Sequence, residues 1–427
     1  MTRTKAATPS SKKVEKLPKT STKKSSTKTS SPKADGPLPF NKQRALEMVL
    51  ELMAIRGGSG QEGAVAGYIR EKLIAAGVPE AELRHDNAHT KTPIKGEVGN
   101  LVLQLPGTVR GPRRLLMAHM DTVPICIGSR PKRSGNFVRS ADPATGLGAD
   151  DRAGVAVVLA TVLEILERKL PHPPLTLLWV IQEEIGLHGA RHVQKGMLGK
   201  PTLAFNWDGG AAEKITIGAT GGYRLQIEIE GLAAHAGGAP EQGISAIAIA
   251  ALAIAQLVRE GWHGLIEKDG KRGTSNVGVI HGGAATNVVT DLVQIKAEAR
   301  SHDPAFRKKI VRVIEKAFKD AAGQVKSAAG KCGRVRFSGQ LDYEAFKLSV
   351  DEPSVVAAQE AVRALGLEPE LAVSNGGLDA NWMSAHGIPT VTLGCGQMQI
   401  HTTSETLDIQ AFEKACQIAL RLATAIE

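Results

Sequence analysis

An apolar run beginning at Leu115 delivers His119 and Asp121 just before the chain turns at Pro124. In an extended strand residues i and i+2 face the same side, so these two side chains can act together. A neutral imidazole is a good zinc ligand, and a carboxylate nearby can hold its second ring nitrogen in the required tautomer. Alone, the pair is equally a satisfied histidine at a strand end, and only the surrounding chain decides.

That chain supplies further acidic residues at comparable places. Gly146-Leu147-Gly148 leads into Asp150, Asp151 and Arg152, and an apolar helix is predicted over 155–170. Negative charge at a helix start is favoured by the macrodipole, so capping accounts for one aspartate but not for its company. The uninterrupted run LTLLWVI, 175–181, ends in Gln182-Glu183-Glu184, and a strand over 202–206 ends in Trp207-Asp208. Adjacent carboxylates at the end of a buried strand repel each other unless a cation neutralises them. A late loop adds His401. Two imidazoles and several carboxylates are a ligand mix that suits zinc, and their number suits two metals about 3.5–4 Å apart sharing one carboxylate.

The elements that must position these residues form an α/β pattern. Ligands of open α/β sheets gather at the carboxyl ends of strands, so three strands ending in His/Asp, Glu/Glu and Asp predict one crevice. Residues 41–76 read as two helices broken at 56–60. The loop GGSGQEG between them lacks the Lys-Ser or Lys-Thr of a phosphate cradle and reads as a helix-joining turn. From about residue 214 the pattern changes: strand 223–230, helix 245–259, strands 276–281 and 292–300, helix 305–322, strand 333–341. This predicts an inserted β-α-β-β-α-β domain over 214–343, between catalytic segments 40–213 and 344–427.

The N-terminal segment, 1–39, is Lys, Ser, Thr and Pro with little to bury, the composition of a disordered tail. Residues 1–36 carry ten Lys or Arg against Glu15 and Asp35, so +8 of the net +10 lies there and the body is nearly neutral. The segment reads as a solvated solubility tail, or as an arm that touches nucleic acid, anionic lipid or another acidic surface. Only 4% of residues are aromatic, which leaves few platforms for stacking bases. No apolar run reaches the roughly 18 residues that cross a bilayer, and no secretory signal is recognisable, so a cytoplasmic protein is expected. The scattered cysteines, Cys126, Cys332, Cys395 and Cys416, indicate neither a disulfide framework nor a zinc ribbon.

From about Pro39 onward, the order and context of these motifs resemble the peptidase family M20 metallohydrolases, in particular their tripeptide aminopeptidase-like branch. The resemblance implies a dizinc exopeptidase-type α/β/α catalytic domain with an inserted α+β ferredoxin-like lid that carries a homodimer contact. It implies two zinc ions, with cobalt or manganese as substitutes, held by His119, Asp150, Glu184, Asp208 and His401, Asp150 bridging. By the same resemblance Asp121 orients His119, Glu183 is the general base and His235 stabilises the oxyanion. Asn287, Arg300, Asn375 and Gly376 match substrate-contacting positions. Two positions depart from the branch: Arg152 stands where lysine is common, and Asn375 stands where Arg-Gly-Gly-Thr-Asp usually begins, which removes a bidentate partner for a peptide carboxylate. His281 and His302 match nothing in the pattern and read as loop histidines.

The implied activity is hydrolysis of small peptides from one end. Rivals are an N-acyl-amino-acid deacylase or carboxypeptidase of the same family, a single-domain dizinc aminopeptidase, and, from another class, a nucleic-acid-binding protein that uses its basic tail.

Overall fold

The computed structural model describes residues 38–425, so the expectations for the basic stretch before Leu38 concern residues outside that span. Strands are numbered along the chain. The larger sheet contains β1 (Arg84–His85), β2 (Leu101–Leu105), β3 (Arg114–His119), β6 (Leu175–Val180), β7 (Leu203–Trp207), β8 (Lys214–Ala219), β14 (Phe346–Lys347), β15 (Glu370–Ser374) and β16 (Thr390–Leu393). Its order is β1-β2-β6-β3-β7-β16-β8-β14, with β15 also paired to β8. Along β3, Leu116 and Ala118 join one buried cluster while Leu115 and Met117 join another. In β6, Leu177 and Trp179 alternate in the same way with Leu178 and Val180. Apolar residues at every position, facing alternately to two cores, are what a sheet covered on both faces requires. The helices α1 (Lys42–Ala54), α2 (Gly63–Ala75), α3 (Ala149–Arg168), α7 (Pro353–Arg363) and α9 (Ile409–Ala423) contribute to the first cluster. The short helices α4 (His188–Arg191) and α8 (Asp379–Ala385) contribute Ala190 and Met383 to the second. No described helix is long and apolar enough to cross a membrane.

A second sheet is built from β9 (Gly221–Glu230), β10 (Gly264–Lys268), β11 (Lys271–Gly282), β12 (Leu292–Ser301) and β13 (Arg334–Tyr343), in the order β10-β11-β12-β9-β13. Two helices, α5 (Ala246–Arg259) and α6 (Pro304–Gln324), close a separate core of Leu225, Ile227 and Ile229 with Ile249, Ala253, Ile310 and Phe318. Each begins where its sequence says it should: the Ser245 hydroxyl accepts from Ala248 N, and Asp303 accepts from Ala305 N and Phe306 N ahead of a proline at the first helical position. A small third sheet, β17-β18-β5-β4, joins β4 (Pro131–Ser134) and β5 (Phe137–Ser140) to β17 (Gln397–Met398) and β18 (Thr406–Asp408).

The expected β-α-β-β-α-β unit is present with one addition and a shifted start. The extra strand, β10, forms a hairpin with β11; only its Ile266 is buried, so it shows no apolar pattern in the sequence. The stretch 214–219, expected in the insertion, is instead β8, hydrogen-bonded within the larger sheet. Its run is buried at every position after Lys214, and apolarity alone does not say which sheet such a strand joins.

The central helix α3 also starts earlier than residue 155. Gly148, at φ 79°, turns the chain into it, and Asp150 and Asp151 lie within its first turn with non-helical dihedrals. Its entry leaves no room for a side chain at Gly154, where a Cβ would sit 2.3 Å from the Trp207 carbonyl oxygen and 2.4 Å from Asp151 Oδ1. Because the first of these neighbours is backbone, Gly154→Ala should destabilise by about 1–3 kcal/mol, the usual range for overpacking. A lower Tm in calorimetry is expected; an unchanged one would show that the helix entry can shift freely.

Candidate metal centre

The strands β6, β3 and β7 lie side by side and parallel, with His119 opposite Val180, so their carboxyl ends open on one edge of the sheet. Residues that follow each strand end therefore meet there. His119 Nε2 is 3.1 Å from Asp150 Oδ1, and His401 Nε2 is 3.1 Å from Asp150 Oδ2 and 3.0 Å from Glu184 Oε2. Ligand atoms of His119, Asp150 and Asp208 all lie within 4.8 Å of one another, and so do those of Asp150, Glu184 and His401. Asp150 thus belongs to both triads and offers one oxygen to each histidine. Glu183 lies beside them, Oε2 at 4.0 Å from His119 Nε2, and completes neither triad.

The electrostatics of this cluster call for positive charge. Burial raises the Glu183 carboxyl well above its usual range; His119 opposes that, and Asp379, Glu184 and Asp208 reinforce it. Burial and Asp150 push Asp208 up to about 7. Asp379 is pushed to about 8 by burial and neighbouring carboxylates, and neither of its oxygens finds a hydrogen-bond partner among the described residues. His401 is drawn up to about 10 by its bonds to Asp150 and Glu184. Two histidines cannot satisfy so many buried carboxylates. A donor set of one imidazole and one carboxylate on each side of a shared aspartate fits a pair of divalent cations.

The turn that presents Glu183 and Glu184 is fixed by Asp121. Its carboxylate accepts from Glu183 N (3.0 Å), Glu184 N (3.2 Å) and Ser59 Oγ (2.6 Å). The ring nitrogen His119 Nδ1 faces the Asp121 carbonyl oxygen at 3.1 Å and its carboxylate at 3.4 Å, so the expected orienting partner acts by both groups. The loop read as a helix-joining turn does more than join helices. Besides Ser59, it supplies Glu62, which accepts from Gly60 N and Gln182 N, and the Gly57 carbonyl, which accepts from the buried Arg152 guanidinium at 2.9 Å. Asp151 accepts from His119 N and Gln397 Nε2 and buttresses β3 from behind.

Sequence reasoning missed Glu405. Its buried carboxylate accepts from Leu147 N (2.9 Å), Gly148 N (2.7 Å), Asp150 N (3.0 Å) and the Cys126 thiol (3.2 Å), so it holds the loop that carries the shared aspartate. The only signal was its place four residues after His401.

Other expected residues divide into two groups. Arg300 and Gly376 line a cavity of about 390 Å³ with Asp150, Glu183, Glu184, Asp208 and His401. Asn375 stands beside it, its Oδ1 3.1 Å from His302 Nε2. By contrast His235 and Asn287 are exposed and absent from the cavity lining, and they lie together, with Ala236 N donating to the Asn287 carbonyl.

Replacing Glu405 by Gln turns an amide NH2 toward backbone donors. We expect Glu405→Gln to weaken divalent-metal binding by about 10–100-fold, as loss of a ligand-orienting group commonly does, and to lower the Tm. A chelator-competition titration and thermal melts check both.

The profile of Peptidase family M20/M25/M40 matches residues 115–425. The chain is 33% identical over 386 residues to the uncharacterized protein YqjE of Bacillus subtilis, covering 90% of this chain and 98% of that one. Among solved structures it resembles a tripeptidase (SAV1512) from Staphylococcus aureus, with TM-score 0.80 and 33% identity over 91% of this chain and 99% of that one. It also resembles the aminopeptidase PepT from Bacillus cereus, with TM-score 0.76 and 31% identity over 90% and 98%. With the profile spanning most of its length and these relatives covering nearly all of the folded part, the chain belongs to peptidase family M20/M25/M40.

Proposed function

We propose that the protein is a metal-dependent exopeptidase that removes residues from the amino end of small peptides, in the manner of a tripeptidase. The observation that carries this reading is the shared carboxylate of Asp150 between two histidine-bearing triads, with Glu183 beside them and unclaimed by either. His119 and Asp208 would hold one cation, His401 and Glu184 the other, and Asp150 both; zinc suits this donor set best, with cobalt or manganese as substitutes. Bound there, the cations would supply the charge that acidifies water and polarises the scissile carbonyl. Glu183 accepts the proton of the attacking water and returns it to the leaving amine; its carboxyl, raised by burial, suits a group that both takes and gives a proton. Asp121 keeps Glu183 in place through its backbone N–H.

The inserted segment, running from β9 to β13, acts as lid and dimerisation domain. Exposed Ile247, Val279, Ile280, Val288 and Leu292 leave apolar surface on it for a second copy to cover, and Val288 bridges directly to His235. His235 and Asn287 then serve the partner's site, the histidine donating to the developing oxyanion. Arg300, Asn375 and Gly376 contact substrate. A reducing, cytoplasmic setting suits the buried free thiols Cys126, Cys395 and Cys416.

Glu183→Ala should keep its zinc and lose at least about 100-fold in kcat on tripeptides, because a base is removed and a ligand is not. Glu184→Ala should lose metal as well. Metal analysis alongside tripeptide hydrolysis separates the two, and more than about a tenth of the wild-type kcat in Glu183→Ala would remove that residue from the role. N-blocked amino acids assayed in parallel distinguish a deacylase. For the shared site, co-expression of Glu183→Ala with His235→Ala should restore about a quarter of the sites, since half of randomly paired dimers are mixed and one site in each is intact. No recovery in a preparation shown to contain mixed dimers would put His235 in cis or outside the reaction.

A further inference from the structure

The cavity beside the metal centre is walled on part of its surface by strands of the second sheet, through Arg224, Arg300 and Tyr343. Their positions follow from register. Arg300 on β12 and Tyr343 on β13 both pair with Gly222 on β9, and Arg224, two residues further along β9, projects from the same face. Gly222 is bare because it must be: a Cβ there would meet the Tyr343 ring at 2.8 Å.

The two arginines are not equally free. Arg300 is engaged by Glu298, which receives Nε at 2.9 Å and Nη2 at 3.0 Å, so its bidentate edge is already matched to a carboxylate. Arg224 is anchored through Nε to the buried carboxylate of Asp342 and pairs with no other acidic side chain among the described residues. Its side chain is 51% exposed, against 30% for Arg300. Asn375 at the rim is neutral, and its Oδ1 faces His302.

A free peptide carries an ammonium at one end and a carboxylate at the other, and the cavity is polarised in the same sense. Its carboxylate cluster lies at the metal centre, and Arg224 lies on the second sheet with its terminal nitrogens available. We infer that Arg224 binds the terminal carboxylate of the peptide substrate and so sets the preference for short peptides with a free carboxyl end. Asp342 holds the guanidinium in place for that contact. The inference rests on the peptide-hydrolysing reading given above.

The test compares trialanine with trialaninamide, which differ only in that charge, on the zinc-loaded full-length protein. A charge-assisted hydrogen bond contributes enough that wild-type kcat/KM should favour the free acid by about 10–100-fold. Arg224→Gln should abolish the preference by raising KM for the acid, with the amide changed by no more than about threefold. Should that variant fail to fold, Arg224→Lys keeps the charge beside Asp342 without the planar fork, and the preference should fall several-fold. A retained preference in the variant, or an equal loss on both substrates, would overturn the assignment of Arg224. Equal wild-type cleavage of acid and amide would overturn it too, while leaving peptide hydrolysis standing. Cleavage of neither tripeptide by the wild type would overturn the peptide reading itself and this inference with it.

Discussion

Repulsion among buried carboxylates at the ends of three parallel strands is the constraint on which this protein is built. Asp121, Asp150, Asp151 and Asp379 are all buried, and Glu183, Glu184 and Asp208 stand among them. Such a cluster persists in a fold only where each oxygen has a donor or a cation. The chain meets part of this demand with backbone N–H groups: two go to Asp121, two to Asp151, and three to Glu405. Burial still pushes the carboxyls of Glu183, Asp208 and Asp379 upward, and those of Asp151 and Glu184 with them. The unmet charge lies where the chemistry of a metallopeptidase would use it.

The division of labour between backbone and side chain explains why so much of the site was legible. Apart from His401, which lies in a late loop, each residue of the two triads follows a strand end or opens a helix after a glycine turn, punctuations visible in the sequence as apolar runs or glycines that stop at a charged residue. His119, Glu184 and Asp208 are of this kind. The supporting residues are not. Ser59 and Glu62 sit in a loop whose composition says only that the chain bends, and Glu405 is one acid in a polar stretch. Their roles depend on contacts across 62, 120 and 258 positions, respectively, which no local pattern encodes.

The fold shows the same limit. The alternation along β9 and β12 and the caps of α5 and α6 made the inserted unit readable, because both are short-range signals. β10 was not readable, since it exists by pairing with β11 rather than by burying a face of its own. β8 was assigned to the wrong side of a boundary because its partners β14, β15 and β16 lie more than 100 residues downstream. His302, which reads as a loop histidine in the sequence, meets Asn375 across 73 positions, a contact no local pattern announces.

The bonds from Glu405 to Leu147, Gly148 and Asp150 have a bearing on the order of assembly. The aspartate common to both triads is held by a residue synthesised about 255 positions later, and His401 arrives at the same late stage. Contacts of such long separation form last, after much of the chain has been ordered. During translation the first half of the sheet, with β3, β6 and β7, emerges well before the segment that completes the centre. An unfinished chain would therefore hold its acidic residues without the geometry to employ them. The arrangement ties competence to that late segment: both triads are complete only once the stretch carrying His401 and Glu405 has docked.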